Sequence, residues 1–486
     1  MFARLHCSLV PRTSGLLLVL ALGATLTLSL EPAHERSAGD EEPPTPEAEL
    51  WAQAERDYAK GRYDRAVSTY SELAKRFPDT EEGKRAARRC LPSGYLGTTP
   101  LEPQGPSANR IDVALMGDGY QLDDQKSFDK LADDVPAMFA KQKTYGEYLS
   151  YFNFHRVNLV SKGDGVDGYG REEDTALNGH VIGTIQGHVA IDRPLVVAMM
   201  REMPVHDDYA VVFVRTGNLG TGGSGVATIG GRNAKTLVHE WGHAFCGLGD
   251  EYASQTHDRG AVGRTVNVSP TDDPAQVPWA HWIEAKVPGV GVYEGAAGQV
   301  RGAWKATSGG CVMEDGEFFC PPCREEIVLH IYRQVDPIDS VLPEAQPRDY
   351  RRSGIEALGG REPHQFELQA LCPDTHSLEV RWWVLPERQA PESPTWEGRR
   401  GGDRSARGPL PAIDAEPVAR SKGSRDGKHS FVFDPRDHEP GLYRVIVRVN
   451  DPTKLRSERF AWVLKDEDGV LESERGWWVL VPPKNP

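Results

Sequence analysis

No basic run stands out in this sequence of 486 residues, and its 56 Lys+Arg are outnumbered by 71 Asp+Glu. Nucleic-acid binding needs a positive face to meet phosphate, so that class of function is set aside. Cysteine is scarce, at seven residues. Cys7 lies before the N-terminal apolar run, so it is not a lipidation cysteine after a lipobox. The other six are Cys90, Cys246, Cys311, Cys320, Cys323 and Cys372, an even number that permits disulfides in an exported chain. The close trio Cys311, Cys320 and Cys323 is the first candidate for one. The same trio would suit a structural zinc, but a fourth ligand is not obvious from the sequence. No cysteine switch is evident, and repeats do not form an array.

What is present divides the chain. Arg4 and Arg12 precede an apolar run from about 15 to 30, with small residues at Ala21 and Ala24. Residues 1–30 therefore read as a signal peptide, and the mature protein as secreted or periplasmic, without a stable membrane span after cleavage. An uncleaved anchor is the alternative. Residues 31–47 are acidic and Pro-rich and read as a disordered linker. In 48–90, Trp51, Ala54, Tyr58, Gly61, Tyr63, Ala66, Tyr70, Leu73 and Pro78 fall at the positions of a tetratricopeptide helix pair. A single repeat predicts a helical hairpin that docks on the next domain; it could also hold a protein partner.

A Gly/Pro-rich joint at 91–109 leads into "RIDVALMGDGY", which reads as a buried strand. Helical spacing follows at Phe128, Leu131, Val135 and Phe139, then strands at 152–161 and 207–216. That order predicts an α/β sheet. The glycine-rich "GNLGTGGSGVATIGG" ends in an expected edge strand at 226–229, suited to pairing with an extended peptide. Residues 323–335 read as a helix. Short strands over 365–481 predict an immunoglobulin-like β-sandwich, interrupted by a disordered insertion at 386–428.

The chemistry concentrates in "KTLVHEWGHAFCGLGDEYAS", residues 235–254. His239 and His243 are one helical turn apart on one face and can share a Zn²⁺ ion. Glu240 is placed to act as general base on a zinc-activated water. Leu237, Val238, Trp241, Ala244 and Phe245 would bury the helix, and Gly247 would stop it. A catalytic zinc needs a third protein ligand. In metzincins His-Glu-x-x-His is followed by x-x-Gly-x-x-His or Asp; here the glycine comes one residue later, and Asp250 follows it. Asp250 is the first choice, adjacent Glu251 the second, and a more distant residue such as His257 the third. Chance occurrence of the short motif is the bland alternative.

"HEWGHAFCGLGDEY" resembles the signature of the IgA-peptidase family of secreted bacterial zinc metallopeptidases, which are metzincin-like. "VALMGDGYQ" (113–121), "YFNFHRVNLVSKGDGVDG" (151–168) and "CVMEDGEFFCPPCREEI" (311–327) extend the resemblance to roughly residues 108–340. It implies a metallopeptidase catalytic domain there, one catalytic zinc on His239, His243 and Asp250, Glu240 as catalytic base, and Met313 in a Met-turn beneath the metal. The family's common N-terminal β domain has no counterpart here, and IgA cleavage is not carried over. The resulting expectation is a secreted zinc endopeptidase acting on protein or peptide substrates. A non-catalytic binding protein on a protease fold and a zinc amidase acting on cell wall are the alternatives.

Overall fold

The computed structural model describes residues 44–90, 94–183, 187–201, 209–254, 262–346, 356–390, 404–422 and 426–483. The expected leader, most of the linker and His257 lie outside them. Residues 1–45 and 46–486 form separate units, and everything below concerns the second. Among the described residues no helix is long and apolar enough to cross a membrane.

The central element is a six-stranded sheet in the order Gly94–Leu101, Phe152–Val160, Ile111–Asp118, Tyr209–Val214, Val226–Gly230, Thr221–Gly223. Its four inner strands are parallel and its two outermost strands antiparallel. Ile111–Asp118 is buried at every position, which matches its unbroken apolar run and a central parallel strand covered on both faces. Two expectations change here. Residues 94–101 are not part of a joint: they add an antiparallel edge strand to the sheet. Pro100 is tolerated because an edge strand has a side that need not donate to the ladder. Residues 226–229 are not an edge: the turn at Ser224 and Gly225 folds Thr221–Gly223 back onto them, so that shorter strand is outermost.

Helices Pro46–Ala59, Tyr63–Arg76 and Glu81–Arg89 pack beside the sheet. The Tyr58 hydroxyl donates to Asn158 Oδ1 at 2.8 Å, and Tyr63 donates to Asp129. Tyr58 and Tyr63 thus tie these helices to the central sheet and to helix Gln125–Asp133.

Beyond residue 337, a three-stranded sheet (Ile338–Leu342, His364–Ala370, Lys428–Phe433) faces a five-stranded one (Leu358–Gly359, Glu472–Val481, Gly441–Asn450, Glu379–Pro386, Ala419–Lys422). Phe366 packs on Trp477 with ring centroids 4.6 Å apart, and Trp382 stacks on Phe431 at 5.2 Å. Part of the expected disordered insertion is built into this unit. Arg404 is fully buried, and its Nη1 donates to the carbonyls of Tyr332, Val335 and Val470 at 2.6–2.9 Å. Two of those carbonyls close the C-terminal end of helix Pro321–Gln334, where a cation is favoured. Residues 391–403 and 423–425 of the insertion lie outside the described residues.

Candidate metal centre

Helix Ala234–Cys246 carries the motif. Asn233 caps its start, its side chain accepting from the backbone N–H groups of Lys235 and Thr236. Gly247 ends it in the left-handed conformation (φ 67°), which glycine adopts without steric cost. Trp241 is fully buried, stacks on Phe245 at 5.2 Å and meets Phe139 edge-on at 5.4 Å. Burying that face against the sheet leaves His239 and His243 on the opposite, partly open side.

The turn after Gly247 returns Asp250 to the histidines. Asp250 Oδ1 lies 3.1 Å from His239 Nε2 and 3.0 Å from His243 Nε2, and the two Nε2 atoms are 3.2 Å apart. Each ring is oriented by a backbone carbonyl at its other nitrogen: Val312 O at 2.9 Å from His239 Nδ1, and Leu248 O at 2.6 Å from His243 Nδ1. A carbonyl can only accept, so each Nδ1 carries a proton and donates it. The neutral form of both rings then directs two Nε2 lone pairs and a carboxylate oxygen at one point. Only a cation, metal or proton, reconciles three acceptors so placed.

The side chains of His239, His243 and Asp250 are 16%, 17% and 28% exposed, so the point is reachable from solvent. Burial alone would raise the Asp250 carboxyl, but its His239 and His243 partners outweigh it and hold it well below the ordinary carboxylate range. Burial lowers His239, yet the neighbouring Asp250 carboxylate leaves it above its ordinary value. The donor set of two imidazoles and one carboxylate fits zinc.

Glu240 is buried, and burial raises its carboxyl against the opposing pull of His239 and His243. The glycine-rich segment lies directly against it. A Cβ on Gly220 would fall 2.7 Å from Glu240 Cγ, and one on Gly222 only 2.1 Å from the Glu240 carbonyl. These glycines let the outermost strand approach the helix at the residue expected to be the base. The sequence marked the segment as glycine-rich without indicating what it approaches.

Beneath the helix sits Met313, fully buried; a Cβ on Gly242 would meet its sulfur at 2.8 Å. Tyr252 stacks on His239 with centroids 6.2 Å apart. Glu251, the second choice for third ligand, does not join the histidines. It is completely buried and faces Cys320 and Cys323 instead. All six described cysteines are free thiols, so the disulfide expected of the trio is not formed.

Residues 99–289 match the family model described as IgA Peptidase M64. Over that span the chain is similar to the IgA-peptidase family. The matched residues include His239, Glu240, His243 and Asp250, whereas the cysteine trio falls beyond them. The match supports a peptidase function with a protein substrate. No curated protein matches the chain. Among solved structures, an endo-beta-1,4-mannanase from Thermotoga petrophila aligns at 10% identity with a TM-score of 0.14, over 77% of this chain and 65% of its own length. The chain thus spans under two thirds of that protein, and so low a score carries no argument.

Proposed function

We propose that the protein is a secreted zinc endopeptidase of metzincin-like type, with the metal held by His239, His243 and Asp250. The observation that carries this reading is the convergence of two Nε2 atoms and Asp250 Oδ1 within 3.2 Å, with both Nδ1 atoms committed to carbonyls. A zinc ion held by His239, His243 and Asp250 would supply Lewis acidity toward the scissile carbonyl and the attacking water.

The chain's own residues do the rest. Glu240 accepts the proton of the attacking water and delivers it to the leaving amine. Its burial beside Gly220 and Gly222 raises its affinity for that proton, which suits a group that must take it up and release it. Val312 and Leu248 hold the imidazoles in the tautomer that leaves Nε2 free. The Met313 side chain fixes the floor under Gly242, as a Met-turn residue would.

Incubation of the purified protein with casein and with peptidoglycan, each with and without a chelator, tests the reading. Chelator-sensitive cleavage of casein alone is the expected result. Peptidoglycan cleavage alone would indicate an amidase, and no cleavage of either a binding protein. Export is tested by N-terminal sequencing of protein recovered outside the cytoplasm; a first residue of Met1 there would contradict a cleaved leader.

A further inference from the structure

A second cluster lies behind the first. Glu251, Cys311, Cys320 and Cys323 are each at most 6% exposed, and one potential ligand atom from each falls within 4.8 Å of the others. Cys323 Sγ and Cys320 Sγ approach Glu251 Oε1 at 3.0 and 3.3 Å, and Cys311 Sγ is 3.9 Å from Cys323 Sγ. We propose that these four side chains form a closed structural zinc site, distinct from the centre at His239, His243 and Asp250.

Geometry argues for a metal rather than a disulfide. A disulfide brings sulfurs to about 2.05 Å. A tetrahedral zinc with bonds of about 2.3 Å to sulfur separates its sulfurs by roughly 3.8 Å. The observed 3.9 Å between Cys311 and Cys323 matches the second figure. Three sulfurs select zinc over magnesium or calcium, which prefer oxygen.

The surroundings are those of an oriented ligand set. Cys320 immediately precedes helix Pro321–Gln334 and Cys323 lies in its first turn. The Cys320 backbone N–H donates to Cys311 Sγ at 3.4 Å, and Asn267 Nδ2 donates to Glu251 Oε1 at 2.9 Å. Such contacts orient metal ligands from behind. Glu251 Oε2 is buried with no hydrogen-bond partner among the described residues, which is costly for a carboxylate unless a cation takes it.

The site would also brace the first centre. Glu251 follows Asp250 directly, and its N–H donates to the Met313 carbonyl at 2.7 Å. Cys311 lies two residues before Met313. An ion shared by Glu251 and Cys311 would therefore tie the loop bearing Asp250 to the segment under the histidine helix.

The test is metal counting by plasma mass spectrometry on the full chain and on the His239→Ala/His243→Ala variant. Two zinc ions per chain are expected in the first and one in the second. After cobalt exchange, the variant should keep a thiolate-to-cobalt charge-transfer band that Cys320→Ser/Cys323→Ser loses. The histidine variant alone decides the matter if the cysteine variant fails to fold. A single zinc that vanishes with the histidines, a different metal in the cluster, or a disulfide among the trio by peptide mapping would overturn the proposal. None of those outcomes touches the peptidase reading, which stands on the casein assay.

Discussion

Asp250 and Glu251 are neighbours in the chain and opposites in the structure. Asp250 is partly open to solvent and meets two imidazoles. Glu251 is sealed from solvent and meets thiols. The Asp250 carboxyl is held far below its ordinary range by its histidine partners, whereas burial pushes the Glu251 carboxyl up to about 8. One peptide bond separates a carboxylate that solvent can reach from one that it cannot. The sequence ranked Asp250 ahead of its neighbour by spacing alone; their environments give the two carboxylates different work.

The comparison can be broken by substitution at each position. Asp250→Ala should have the largest effect, removing the solvent-accessible metal and lowering casein cleavage by at least about 10²-fold, the scale of a lost catalytic group. Thermal unfolding of the metal-free proteins should differ little, because Asp250 is not part of the core. Glu251→Ala should show the reverse emphasis. It leaves a cavity among buried thiols, and calorimetry should report a stability loss of about 2–5 kcal/mol with the histidine centre still able to bind zinc. Equal effects of the two substitutions on both readouts would dissolve the distinction.

Trp241→Ala sharpens the comparison from the helix's other face. It removes a fully buried side chain stacked on Phe245, and should cost about 3–5 kcal/mol in denaturant unfolding.

A smaller, pH-dependent effect is expected where helix Lys143–Glu147 meets the C-terminal region. His376 Nδ1 lies 2.7 Å from Glu147 Oε1 and its Nε2 lies 2.7 Å from Asp451 Oδ1. Burial opposes its charge, but hydrogen bonds to Asp451 and Glu147 prevail and raise its pKa from 6.5 to about 9. A raised folded-state pKa means that the folded protein binds the proton more tightly. The stabilisation is therefore complete below pH 6.5 and is lost as pH rises through about 9. It amounts to at most about 3 kcal/mol. The melting temperature should fall across that window, and His376→Gln should flatten the fall.

Much of the central sheet was legible because its strands are continuous apolar runs and the amphipathic helix between them has a clear period. Ile111–Asp118, Phe152–Val160 and Tyr209–Val214 all follow from that pattern. The edges were not legible. Gly94–Leu101 contains Pro100 and two glycines, which weaken a local strand signal, yet pairing with Phe152–Val160 overrides it. Arg404 sits in a stretch whose composition reads as solvent-loving, and only the carbonyls around helix Pro321–Gln334 explain its burial. At the candidate site, the spacing of His239, His243 and Asp250 drew them together on paper because helix and turn geometry are local. The meeting of Glu251 with Cys311, Cys320 and Cys323 spans 60 to 72 residues and is tertiary, so no local spacing announced it.

The central claim is that Glu240 performs proton transfer at a metal it does not hold. The most direct measurement pairs zinc content with casein cleavage in Glu240→Gln. Zinc content should equal that of the unaltered protein while cleavage falls by about 10²- to 10⁴-fold. Undiminished cleavage, or loss of zinc in step with activity, would contradict it.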